Sequence, residues 1–421
     1  MPKGVLFSTD LLKQCRSQFS HVEECPFIGP WSFLDSASGA LRLKKVSEVV
    51  AREVALPYQA ARPTKGSEHI MDVIEKGEQD IRLFLGAQSG VIVPRLTATE
   101  LIFELIDCAV AYYPGTNVVT TKADHPATYD ATLSAAQKYD KDWRVAPFEL
   151  SSGVVKPEAI LDLIDENTSV LALVHGANIL GSYMDVATII REARNVNPKI
   201  CVIIDAVQYA PHAPIDIDNM QPDAYVIAPY KAYSRKGIAY AYISDRFSLI
   251  PHRKLRGCPA NEWEMGTVDQ GDYAAWSVLV DYLCWLGGHF TTKQDRRQLL
   301  LAAMNAIRSH EQALLEQLLY GTDQNQGMLA MDNVKTYCME AGTTNRACLV
   351  PFRITNCSTN EALEGYLERH IAVSARWRDS FSGHILEALD AEDLIRVSAC
   401  HYNTPQEIDA FLAATKEIAS K

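Results

Sequence analysis

Two residues with complementary chemistry stand about two dozen positions apart near the middle of the chain. Asp205 closes the apolar run ICVIID, and Lys231 follows a second run, AYVIAPYK. An amine that can form an imine and a carboxylate that can keep a pyridine nitrogen protonated are the pair that pyridoxal phosphate (PLP) chemistry needs, because the protonated ring acts as an electron sink. They can cooperate only if the two runs are neighbouring strands that release both side chains at one sheet edge. Taken alone, an arbitrary Asp and Lys at this spacing read more readily as a strand-end acid and a surface lysine.

The elements that would position them are legible on either side. VLALV, within a strand at Ser169 to Val174, and ICVIID, within one at Ile200 to Ile204, are continuous apolar runs. Such runs suit strands buried on both faces. A further strand is expected at Asn117 to Thr121, with helices at Thr97 to Tyr113, Pro157 to Ile164 and Asp185 to Asn195. Helices alternating with buried strands imply right-handed crossovers and a mainly parallel sheet, which places ligands at the carboxyl ends of its strands. From about Asp281 the pattern changes to a long helix at Lys293 to Leu319 and strand-like pieces at Arg346 to Ile354, Ala372 to Ser374 and Leu394 to Ala399. A final helix is expected at Thr404 to Ile418.

Composition bounds the function classes. The chain of 421 residues is 48% hydrophobic and 22% charged, enough for a large core and two domains. It shows no run of eighteen apolar residues and no secretory leader pattern, so a cytoplasmic protein without a membrane span is expected. A net charge of −12 argues against a nucleic-acid surface. The ten cysteines form no CxxC pair, which suits a reducing compartment and gives no metal-site spacing.

Several blocks, in one order along the chain, resemble the PLP-dependent class V aminotransferase fold family, especially its cysteine desulfurase-like branch. DAVQYAPHAP carries a strand-end acid, Asp205, a glutamine, Gln208, and a His-Pro-rich turn, in which His212 reads equally well as a surface histidine. APYK with Gly237 beyond it resembles the lysine motif around Lys231. VPRLTATELI resembles a phosphate-binding turn at Thr97 and Ala98, where helix N-terminal amides favour an anion. KADHPATY, VHGANILGSYMDV, EMGTVDQGDYAAW and IRVSACHYNTPQEIDAFL complete the series.

The resemblance implies fold type I: an α/β chain with a mainly parallel seven-stranded sheet in a large domain (31–285), a smaller α+β C-terminal domain (286–421), and residues 1–30 packed on the latter. It implies a PLP Schiff base on Lys231, His125 stacked on the ring and sharing the catalytic work, and Asn178 and Arg396 binding the substrate, the arginine through its α-carboxylate. It also implies a homodimer with active sites at the subunit interface, Gly266 and Thr267 reaching the partner's phosphate. Segments at Ser36 to Gly39 and Tyr58 to Gly66 are expected to contribute to the pocket.

Two departures stand out. The serine and histidine common before the lysine are Ala228 and Tyr230, and Tyr230 is expected to supply a different cofactor contact. The stretch AVSARWRDSFSGH (Ala372 to His384), where desulfurases carry their persulfide cysteine, contains none, and Cys400 lies beyond it on a strand. That stretch offers Arg376 and Arg378, read either as solvated charges or as receptors for a second acidic group. On this basis the expected reaction is β-elimination of a C–S bond in a small amino acid, without a persulfide cysteine. Aspartate-like β-decarboxylation with carbon–carbon bond formation, epimerisation and transamination are the alternatives. The intact Lys231 and Asp205 pair argues against a non-catalytic scaffold.

Overall fold

The computed structural model describes residues 4–340 and 342–420. Seven strands form the main sheet: β1 (Val91–Arg95), β2 (Asn117–Thr121), β3 (Asp142–Ala146), β4 (Thr168–Val174), β5 (Cys201–Asp205), β6 (Ala224–Ile227) and β7 (Ala239–Ile243). Their spatial order is β1-β7-β6-β5-β4-β2-β3. Six strands run in one direction, and only β7 is antiparallel to its neighbours β1 and β6.

Every residue of β2, β4, β5, β6 and β7 is buried. The side chains of one face pack against the Ala98–Tyr112 and Pro126–Lys138 helices, and those of the other join the larger core under the Val186–Val196 and Gln270–Gly287 helices. A two-sided apolar strand cannot face water on either side, which is why these sequences lack alternation.

A second sheet is antiparallel, with order β8-β9-β11-β10, where β8 is Val334–Thr336, β9 Leu349–Ile354, β10 Ser374–Trp377 and β11 Asp393–Ser398. The Arg296–Tyr320 and Pro405–Ala419 helices cover it and share its own apolar core. The long helix begins at Arg296 rather than Lys293 because Asp295 caps it, accepting from the Gln298 N–H. The strand expected at Arg346 starts at Leu349, since the Arg346 guanidinium is buried and donates to the carbonyls of Cys338 and Leu180.

The N-terminal residues touch this second layer. The Phe7 ring stacks on His310 at 4.4 Å, and Arg16 bridges Glu23 and Glu407. Ser32–Phe33 pairs in parallel with Ile371–Ala372, so the chain passes from one layer to the other beside β10. Among the described residues, no helix is long and apolar enough to cross a membrane.

Candidate active site

The carboxyl ends of β1, β2, β4, β5 and β6 lie along one sheet edge, and a cavity of about 300 Å³ opens there. Its wall brings together Thr97, Ala98, His125, Asn178, Asp205, Gln208, Tyr230 and Lys231, eight residues expected from sequence alone. Ala228 and Gly237 also face it. β5 and β6 are adjacent and parallel, with Asp205 opposite Val226, so Asp205 and the segment carrying Lys231 emerge side by side.

Lys231 is only 7% exposed, and its Nζ donates to the Ala37 carbonyl and, over 3.1 Å, to Gln208 Oε1. Burial, reinforced by the Arg396 and Arg376 charges, pulls its pKa down to about 7. A lysine so placed is half neutral near physiological pH, the state a nucleophilic amine needs. Asp205, 5% exposed, accepts from the Val207 N–H at 3.0 Å and the Thr128 hydroxyl at 3.4 Å. Burial pushes its carboxyl up to about 6, the mark of an anion short of a cation.

His125 caps the Pro126–Lys138 helix, its Nδ1 accepting from the Ala127 N–H at 3.1 Å. That bond makes Nδ1 the unprotonated nitrogen. Burial and the cations around it lower its pKa to about 4, so the ring is neutral. The preceding Asp124 fixes this corner: its carboxylate accepts from the Thr121 and Val174 N–H groups, both at 2.6 Å, and ties the end of β2 to that of β4.

Arg396, on β11, is fully buried. Its guanidinium donates to the Asn178 carbonyl at 2.6 Å, to Ser38 Oγ at 2.7 Å and to Asp35 at 3.4 Å, while its Nε finds no acceptor. Arg376 donates to the same Ser38 Oγ at 2.9 Å. Ser374 lies opposite Arg396 in the strand register, and Arg376 follows two residues on along the same face. Burial lowers the Arg376 pKa and brings that of Arg396 to about 10.

Arg378 is placed differently. It follows the last residue of β10, stands exposed, and pairs with Glu392 at 3.0 Å. Gly266 and Thr267 lie on an exposed segment outside the cavity wall. Sequence reasoning missed Asp35 and Ser38 as the groups that hold the arginines, Thr128 as a partner of Asp205, and Lys236, which lines the cavity beside Thr97. The SASG segment was the one signal for Ser38. His212 is not a surface residue: it is buried, with Nδ1 2.8 Å from Glu311.

These side chains fit PLP. The Ala98–Tyr112 helix begins at the cavity, where its first amides lack intrahelical acceptors and suit a phosphate. Asp205 lacks a cation, and Asn178 Oδ1 is buried without a partner. The class V aminotransferase model matches residues 32–257, more than half of the chain. The chain belongs to the aminotransferase class-V family. PLP is the cofactor of that family.

An aminotransferase-like protein, FGM3, of Gibberella zeae is 22% identical over 97% of this chain and 98% of its own length. A probable cysteine desulfurase of Borreliella burgdorferi is 23% identical over 82% of this chain and 81% of its own. Among solved structures, the apo cysteine desulfurase of Thermococcus onnurineus NA1 aligns with a TM-score of 0.77 at 18% identity, covering 93% of this chain and 95% of that one. The cysteine desulfurase CsdA of Escherichia coli aligns at 0.76 and 19% identity over 99% of both chains. These alignments establish the fold type I architecture.

The same relatives overturn the expected reaction, an elimination that excludes a persulfide cysteine. Three of these four proteins are named as cysteine desulfurases or a probable one, and the fourth as an aminotransferase-like protein. The exclusion rested on one stretch, Ala372 to His384, whereas the ten free thiols of this chain are spread over both layers.

Proposed function

We propose that this enzyme removes sulfur from cysteine or a close analogue, with Lys231 as the covalent anchor of PLP. The observation that carries the reading is a half-neutral buried lysine and an unpaired buried carboxylate on one cavity wall, with the buried Arg396 guanidinium bonded to the backbone of Asn178 on that same wall. Bound PLP supplies the electron sink that makes a Cα proton acidic.

The protein's groups have separate tasks in this reading. Asp205 would hold the pyridine nitrogen of PLP, whose positive charge would supply the cation its carboxylate lacks. Neutral His125 offers a ring face for stacking. Thr97, Ala98 and Lys236 hold the phosphate, with Tyr230 standing in for the contact that Ala228 does not make. Lys231, freed as an amine, would move the Cα proton of the substrate, since a base with a pKa near the working pH transfers protons well.

Arg396 takes the substrate α-carboxylate through its planar fork, in exchange for Ser38 and Asp35. Asn178, whose backbone holds Arg396, would donate from its side-chain NH2 group to a ring oxygen or to the substrate carboxylate. Arg376, sharing Ser38, assists at the carboxylate, and exposed Arg378 acts from the rim. The molecule works in this reading as a cytoplasmic homodimer, the exposed Gly266 and Thr267 completing the phosphate site of the partner.

The test is to supply cysteine and follow alanine and sulfide with and without an added thiol, mapping persulfide on the ten cysteines. Alanine with persulfide or sulfide supports the reading. No cleavage of cysteine at saturating concentration, by protein loaded with PLP, would contradict it.

A further inference from the structure

A chain of buried hydrogen bonds runs behind Lys231, away from the cavity, and ends on a helix of the other layer. Lys231 Nζ donates to Gln208 Oε1 at 3.1 Å, and Gln208 Nε2 lies 3.5 Å from His212 Nε2, the longest link. His212 Nδ1 is 2.8 Å from Glu311 Oε2. Glu311 Oε1 accepts from the backbone N–H of His401 at 3.1 Å. All four side chains are buried, and Glu311 sits on the Arg296–Tyr320 helix, far from the cavity in sequence. The proposed reaction uses neither His212 nor Glu311.

With Glu311 ionised and His212 neutral, the donors and acceptors leave one assignment. The His401 N–H must donate, so it claims one oxygen of Glu311. The other oxygen, on a carboxylate, can only accept, so His212 carries its proton on Nδ1. His212 Nε2 is then an acceptor, and Gln208 must present its NH2 group there. The amide oxygen of Gln208 is thereby turned toward Lys231, where it accepts from the ammonium. An amide whose two ends look alike by shape is oriented by a carboxylate two hydrogen bonds away.

We propose that Glu311 and His212 are positioning residues that act through the Gln208 amide to set the proton affinity of Lys231. The inference rests on Lys231 being the residue that holds PLP. Other charged or titratable groups around the lysine are Arg396, Arg376, Asp35, Asp205, His125 and Tyr230. Those around Glu311 are Tyr183, Tyr233, Cys348 and Cys400.

Replacing Glu311 by glutamine tests the relay with little change of shape. The His401 N–H still demands an oxygen, so the new NH2 group faces His212 Nδ1 and forces its proton to Nε2. Gln208 must then flip, turning NH2 toward Lys231. A donor facing the ammonium disfavours the charged form, and the pKa of Lys231 falls. Gln208→Glu offers acceptors only and moves it the other way.

The experiment follows the rate at which cofactor-free protein gains the absorbance of bound PLP, as a function of pH. The rate tracks neutral amine at position 231, and Lys231→Ala supplies the blank. E311Q is expected to move the midpoint down by about one pH unit and Q208E to move it up by a similar amount. In a Q208A background, adding E311Q is expected to change nothing further. Midpoints of E311Q and Q208E that both match the wild type would overturn the proposal, as would an E311Q shift that persists in Q208A. If E311Q does not fold, His212→Phe, which cuts the same link to Gln208, decides the matter, and a midpoint equal to that of the wild type would overturn the proposal. An absorbing adduct undiminished in Lys231→Ala would instead remove the reading on which the inference rests.

Discussion

Asp205 and Asp223 are both buried carboxylates beside β5 and β6, at opposite ends of the same pair of strands, yet their surroundings are reversed. Asp223 is 1% exposed and saturated. It accepts from Arg246 at 2.6 Å, Arg194 at 3.2 Å, the Val202 N–H at 2.8 Å and the Ser244 hydroxyl at 3.3 Å. Asp205 is nearly as buried but has one amide and one long hydroxyl contact, and burial leaves its pKa at about 6. Among the described residues it has no arginine or lysine within ion-pair distance. A charge paired inside the protein serves the fold, whereas one left short of a partner is set aside for a ligand.

That contrast can be broken at either end. The largest effect expected is from Lys231→Ala, with a loss of turnover on the order of 10²–10⁴-fold. Asp205→Asn is expected to approach it while leaving the cofactor-free fold intact. A denaturant midpoint for Asp205→Asn far below that of the wild type would show that Asp205 is structural after all.

Asp223→Asn is expected to behave in the opposite way. It leaves Arg194 and Arg246 without their carboxylate and costs about 3 kcal/mol of stability, seen as a lower denaturant midpoint at unchanged slope. Cofactor absorbance of the protein that remains folded is expected to be normal. Arg396→Gln removes a charge-assisted contact to the substrate carboxylate, and KM is expected to rise about 10–100-fold.

The smallest effects concern pH. Lys231 is deprotonated in the folded protein above about pH 7, below its ordinary range, so PLP loading is expected to rise tenfold per unit up to about pH 7 and then level off. Arg376 is one of the charges that lowers this pKa, so Arg376→Gln is expected to move the midpoint up by roughly half a unit. In the cofactor-free protein, Asp205 binds its proton more tightly folded than unfolded. Stability from this group is therefore lost as pH rises from about 4 to about 6. Asp205→Asn removes that slope in a denaturant series.

What the sequence disclosed follows the same division. Continuous apolar runs announced β4 and β5, and residues just after strands announced the cavity, because burial on both faces and parallel direction are written locally. β7 was not anticipated, since nothing in AYAYI reveals that it enters between β1 and β6 antiparallel to both. Arg376 and Arg378 looked equivalent until the register put the first on the face of β10 shared with Ser374 and left the second beyond the strand end. Glu311 was invisible because its partner His212 lies in another layer, 99 positions away in sequence. The reaction was misjudged because one cysteine-free stretch was weighed against a family resemblance that spans the chain.

The most direct test of the central claim is chemical. Protein loaded with PLP is reduced with borohydride, digested and analysed by mass spectrometry. The account predicts a single phosphopyridoxyl group, on the peptide containing Lys231, and none in Lys231→Ala. Stoichiometric labelling of another lysine, or none despite bound cofactor, would contradict it.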